Sequence, residues 1–111
     1  MPVQTTINAI EKEVLDRFKS LLLKKVKLHS LILFGSRARG DADPDSDMDV
    51  LVIVNGIDRE IEDYISNSAW EAGFEHGVVV VPVVFSRKEW EDSPEHVSLL
   101  AQAVRKEGVV V

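Results

Sequence analysis

The chain has 111 residues, 45% of them apolar and 29% charged, with no cysteine and a formal net charge of −6 at neutral pH. That length suits one domain with one modest core, so a single domain over residues 1–111 is expected. The acidic balance argues against an extended nucleic-acid surface, which is normally basic, and the missing cysteines exclude disulfides, thiolate metal sites and thiol catalysis.

The first segment, 5–26, reads as a helix. Ile7, Ile10, Val14, Phe18 and Leu21 follow three-and-four spacing, with Leu15 and Leu22 widening the stripe and Glu11, Lys12, Asp16 and Lys19 outside it. Thr5 or Thr6 is the expected cap, and Lys24, Lys25 and Lys27 suit the helix end. His29 then precedes a short apolar strand, Leu31 to Phe34, which stops at Gly35. A loop follows, and a second strand begins near Asp47 and runs to Val54 as an uncharged β-branched stretch.

Asn55-Gly56 is a turn signal, and Asp58 is placed to cap a second long helix through Ile61, Tyr64, Ile65, Ser68, Ala69 and Ala72, ending at Gly73 or Gly77. Tyr64 and Trp70 are read as packing residues, and His76 as a helix-end residue. Val78 to Phe85 is a third strand, apolar on both faces and so expected to be covered on both. Pro82 within it points to an edge position or a bulge. Ser86 caps a short helical turn at Arg87 to Glu91, and Ser93-Pro94 opens a last helix through Val97, Leu100, Ala101 and Val104 that Gly108 stops. His96 faces outward on this register. The chain closes on Val109-Val110-Val111, with packing on the core and a partner contact both open for them and for Trp90. Nowhere does an apolar run approach about 18 residues and no charged-then-apolar leader opens the chain. Neither a membrane span nor a signal peptide is expected, and the cytoplasm is the expected location.

Chemistry concentrates between Leu31 and Val54, LILFGSRARGDADPDSDMDVLVIV. A buried strand ending at Gly35 lets backbone approach a ligand, and Ser36 adds an amide and a hydroxyl. Arg37 and Arg39 bring guanidinium forks suited to phosphate oxygens, with ion pairs to the neighbouring aspartates as the competing assignment. Strand alternation points Asp47 and Asp49 the same way and Met48 the other. Two carboxylates about 7 Å apart on one strand face repel unless a cation compensates them, and can hold a hard metal ion. The P-loop alternative fails because Asp41 and Ala42 follow Gly40 where Lys and Ser/Thr are required. The EF-hand alternative fails because Met48 and Val54 stand where Gly and Glu are required. Asp41, Asp43 and Asp45 are read as solvated turn residues.

Gly35-Ser36, ten intervening residues, then Asp47-x-Asp49 and an apolar strand resemble the signature of the nucleotidyltransferase superfamily related to DNA polymerase beta. GSRARGDADPDSDMDVLVIV resembles in particular its small branch, the minimal nucleotidyltransferases, over nearly the whole chain. The resemblance implies an α/β (α+β) nucleotidyltransferase fold: a small mixed sheet with helices mainly on one face. It implies Mg²⁺ on Asp47 and Asp49, ATP as nucleotide substrate, and Gly35 and Ser36 at the terminal phosphates, assisted by Arg37 and Arg39. It further implies an antitoxin that transfers AMP to a hydroxyl of a HEPN-type toxin partner, with acceptor recognition supplied by another chain or by self-association. One departure stands out. Catalytic members carry a third acidic residue on a later strand, yet no Asp or Glu lies between His76 and Ser86. Catalysis with two carboxylates, a group supplied by the partner, and a non-catalytic contact antitoxin all remain open on this reading.

Overall fold

The computed structural model describes residues 7–43, 45–92 and 94–111, without the side chains of 94–98. The first helix, α1 (Ala9–Leu23), is shorter than its apolar stripe, because Asn8 closes a reciprocal capping box with Glu11. The Asn8 side chain accepts from the Glu11 amide at 2.8 Å, and the Glu11 carboxylate accepts from the Asn8 amide at 3.0 Å. Thr5 and Thr6, the expected caps, lie outside the described residues. Glu11 itself is buried, against its expected place on the wet face.

Strand β1 (Leu28–Phe34) leads into one helical turn, α2 (Ser36–Arg39), where a loop was expected, and then into β2 (Met48–Val54). Helix α3 (Arg59–Phe74) starts at the expected cap, Asp58, whose side chain accepts from the Ile61 amide at 2.8 Å. Strand β3 (Val80–Ser86), short helix α4 (Arg87–Asp92), helix α5 (Pro94–Glu107) and strand β4 (Val109–Val110) follow. Ser86 and Glu89 form a second capping box at α4. The expected cap Ser93 and the side chain of His96 lie outside the described residues.

The sheet is mixed, in the order β3-β2-β1-β4. β1 runs antiparallel to both β2 and β4, and β2 runs parallel to β3 through the α3 crossover. Pro82 therefore lies on an edge strand, where its missing N–H costs no ladder bond. β3 is only half covered along most of its length, so the expected cover on both faces is partial. The terminal valines pack onto the domain's own sheet: β4 pairs Val109 with Leu33 and Val110 with Ile32, and the Val111 amide donates to the Leu31 carbonyl at 2.9 Å.

The main core lies on one face, where Val14, Leu15, Phe18 and Leu22 of α1 and Ile65, Ala69 and Ala72 of α3 meet Leu31, Leu33, Val50, Val52 and Val54. A smaller cluster fills the other face: Leu51, Ile53 and Val104, flanked by Ile32, Phe34, Phe85, Trp90 and Leu100 under α4 and α5. β2 is apolar on both faces because it is the strand that both layers bury. Tyr64 packs as expected, its hydroxyl donating to the Leu21 carbonyl. Trp70 does not. It is 66% exposed and stacks on Phe74, also exposed, with ring centroids 4.6 Å apart. No described helix is long and apolar enough to cross a membrane.

Candidate functional site

Antiparallel register places Phe34 opposite Asp49, so the turn after β1 folds directly over the start of β2. Gly35 makes that turn with φ +80°, a conformation that side chains disfavour. A Cβ at Gly35 would lie 2.6 Å from Oδ2 of Asp49, so a side chain there would push that carboxylate out of its present position. The Gly35 carbonyl then accepts from the Ala38 and Arg39 amides, each at 3.1 Å, which winds α2 and presents Ser36 at its first position.

Asp47 is exposed, Asp49 is partly buried and Met48 between them is fully buried, as strand alternation requires. Asp49 shares its sheet face with Leu51 and Ile53, which places it at the end of the α4–α5 layer. Among the described residues, neither carboxylate pairs with a cationic side chain. Burial, and after it the charge of Asp47, raises the pKa of Asp49 above the ordinary carboxylate value. Two carboxylates side by side, one partly desolvated, are the donor chemistry of a hard divalent cation such as Mg²⁺. They supply two of its six positions, and no third His, Cys, Asp or Glu joins them among the described residues. The parallel register explains why: the β3 residue paired with Asp49 is Val81.

The sign of the Asp49 shift gives a stability test. The folded chain holds this proton more tightly than the unfolded chain does. That contribution is complete below the ordinary carboxylate range and is lost as pH rises through the raised value, so the ionised pair costs stability at neutral pH. Metal-free Asp49→Asn protein is expected to melt about 2–4 °C above the parent at pH 7, roughly 0.5 kcal/mol after solvent screening. The gap should close below about pH 3, where the Asp49 carboxyl is protonated in the folded and the unfolded chain alike. Thermal melts in chelator across that range check it, and a parent that melts higher than the variant at pH 7 contradicts it.

The two arginines part company. Arg37 is 6% exposed; its Nη1 donates to Oε2 of Glu11 at 2.8 Å, while its Nε and Nη2 donate to the Ser46 carbonyl at 3.0 and 2.7 Å. The guanidinium thus ties α2 to α1 and to the residue just before Asp47. These bonds give Arg37 the structural ion pair that competes with a role at the phosphates, and the partner is Glu11, 26 residues away in sequence, instead of a nearby aspartate. Arg39 is exposed and lies between Asp41, at 3.2 Å, and Glu107, at 3.1 Å. The hydrogen bonds it donates to Asp41 first and Glu107 second raise its pKa further, so it stays cationic. Glu107, which sequence reasoning passed over, also accepts from the Gly35 amide at 2.7 Å. The groove of about 520 Å³ lined by His29, Ser30, Ile53, Trp90 and Arg105 lies at the opposite end of β1 and does not reach this site.

Comparison with known proteins gives the arrangement its relatives. Residues 11–107 match the model of the family described as nucleotidyltransferase domain. Two proteins of Methanocaldococcus jannaschii, each named "Putative protein adenylyltransferase", are similar. One is 35% identical over 79 residues, 68% of this chain and 79% of that protein; the other is 36% identical over 77 residues, 69% of this chain and 71% of that protein. Among solved structures, a chain of a complex described as a toxin-antitoxin with AMP-PNP superposes with a TM-score of 0.62 at 22% identity, over 86% of this chain and 69% of that one. A chain of a complex described as tri-AMPylated Shewanella oneidensis HEPN toxin with MNT antitoxin gives 0.56 at 19% identity, over 89% and 69%. At those identities the structures speak for the fold alone.

Proposed function

Because this chain belongs to the nucleotidyltransferase domain family, we propose that it binds Mg²⁺-ATP and transfers AMP to a hydroxyl on a partner protein of the HEPN type, acting as an antitoxin in the cytoplasm. The observation that carries this reading is the Asp47–Asp49 pair set against the bare backbone of Gly35. It brings a cation site and a phosphate-accepting turn to one point.

On this reading Asp47 and Asp49 hold the metal, and the Gly35 amide, the Ser36 amide and hydroxyl, and Arg39 receive the terminal phosphates. When bound, the metal would neutralise triphosphate charge and polarise the α-phosphorus. The acceptor hydroxyl oxygen bonds to the α-phosphorus and releases its proton to solvent water as the bond to the bridging oxygen of the β-phosphate breaks, and pyrophosphate leaves. Arg39 stabilises the charge that collects on it. Gly35 leaves the Asp49 carboxylate where it stands, since a side chain there would displace it. Arg37 does not touch nucleotide; it sets the position of the segment carrying Asp47.

Val81 favours a second reading. With an apolar residue beside Asp49 on β3, this strand offers no third carboxylate to accept the hydroxyl proton. A chain that neutralises its partner by contact alone would tolerate that substitution. Mass spectrometry of a co-expressed HEPN partner separates the two. The enzyme reading expects the partner to carry one or more added AMP groups, absent when Asp47→Asn replaces the parent. A partner that is inhibited but unmodified overturns it in favour of contact.

A further inference from the structure

Glu107 ends α5 and lies 72 residues from Gly35 in sequence, yet its Oε2 accepts from the Gly35 amide at 2.7 Å and from Nη1 of Arg39 at 3.1 Å. Those donors are two of the groups assigned above to the terminal phosphates. We propose that Glu107 is a built-in anion seated where a terminal phosphate of the nucleotide docks, so that nucleotide entry requires its displacement. The inference rests on the nucleotide reading of this site.

The chemistry of the seat supports it. One backbone amide and one guanidinium converging on a single oxygen form an anion site, and a carboxylate oxygen fills it as a phosphate oxygen would. The Glu107 side chain is 16% exposed and that of Arg39 47%, so the carboxylate is itself largely withdrawn from solvent while the guanidinium of the seat stays open to water. Release does not require α5 to leave. The backbone after Glu107 is fixed by the Gly108 amide, which donates to the Val104 carbonyl at 2.8 Å, and by the pairing of β4 with β1. Gly108 packs so closely that a Cβ there would lie 2.8 Å from Cγ2 of Ile32. Displacement is therefore a side-chain rotation on a held backbone. It returns a carboxylate to solvent and leaves Arg39 paired with Asp41 on its far side.

Two binding energies then oppose each other at one seat, and removing the internal charge should favour the nucleotide. Calorimetric titration with ATP and Mg²⁺ is expected to give Glu107→Gln a dissociation constant about three- to tenfold below that of the parent. Glu107→Ala should move in the same direction. In the nucleotide-free parent the Gly35 amide proton resonance should lie downfield of its position in Glu107→Ala, and should respond to ATP in both. Equal or weaker ATP binding by both variants, with melting temperatures showing that they are folded, overturns the proposal and leaves the nucleotide site standing. Absence of ATP binding in parent and variants alike overturns both.

Discussion

Replacing Arg37 by Leu is expected to lower stability by about 3–5 kcal/mol, because it leaves the Glu11 carboxylate buried without its cation and removes both donors from the Ser46 carbonyl. Both side chains of the pair are 6% exposed, so neither can turn to water in place of its partner. Against a total of about 5–15 kcal/mol for a domain of ordinary stability, the loss approaches the whole. It corresponds to a fall in melting temperature on the order of 15 °C or more. The double variant Arg37→Leu/Glu11→Leu should recover a large part of it, since two apolar groups of similar size remove the stranded charge. Thermal melts of the three proteins check the account. A single variant that melts within about 2 °C of the parent would mean that Arg37 is dispensable to the fold and free for the phosphates after all.

That pair also marks where sequence reasoning stops. The strands on either side of Gly35, the α3 cap at Asp58, the capping turn at Ser86 and the edge position of Pro82 were legible because each rests on local chemistry: alternation, a cap residue, a missing donor. The juxtaposition of Gly35 with the two aspartates was legible as a motif. Its physical cause, a Cβ that would strike Asp49, needed the antiparallel register. Glu11 reads as solvent-facing because a charged residue outside an apolar stripe normally faces water, whereas the partner that lets it be buried, Arg37, comes from another element. The Asn8-x-x-Glu11 spacing is the sequence signal for the capping box, and the threonines upstream compete with it as cap residues. Glu107 gave no local signal at all, since an acidic residue at a helix end followed by Gly108 reads as an ordinary stop. Residue type alone reads Trp70 as packing; its exposure follows from the face of α3 on which it falls, where it stacks on Phe74, also exposed.

The central claim is that Asp47 and Asp49 together make nucleotide binding metal-dependent. A chain of net charge −6 has little intrinsic attraction for a triphosphate, and two adjacent carboxylates repel it further. Bound Mg²⁺ reverses that local sign, so removing both carboxylates should remove the binding with them. Calorimetric titration of the parent and of Asp47→Ala/Asp49→Ala with ATP, each with and without Mg²⁺, tests this directly. The account predicts binding by the parent only when Mg²⁺ is present, weakened about 100-fold or more in the double variant, a loss of at least about 2.8 kcal/mol. ATP binding that is indifferent to Mg²⁺, or that survives the loss of both aspartates, would contradict it.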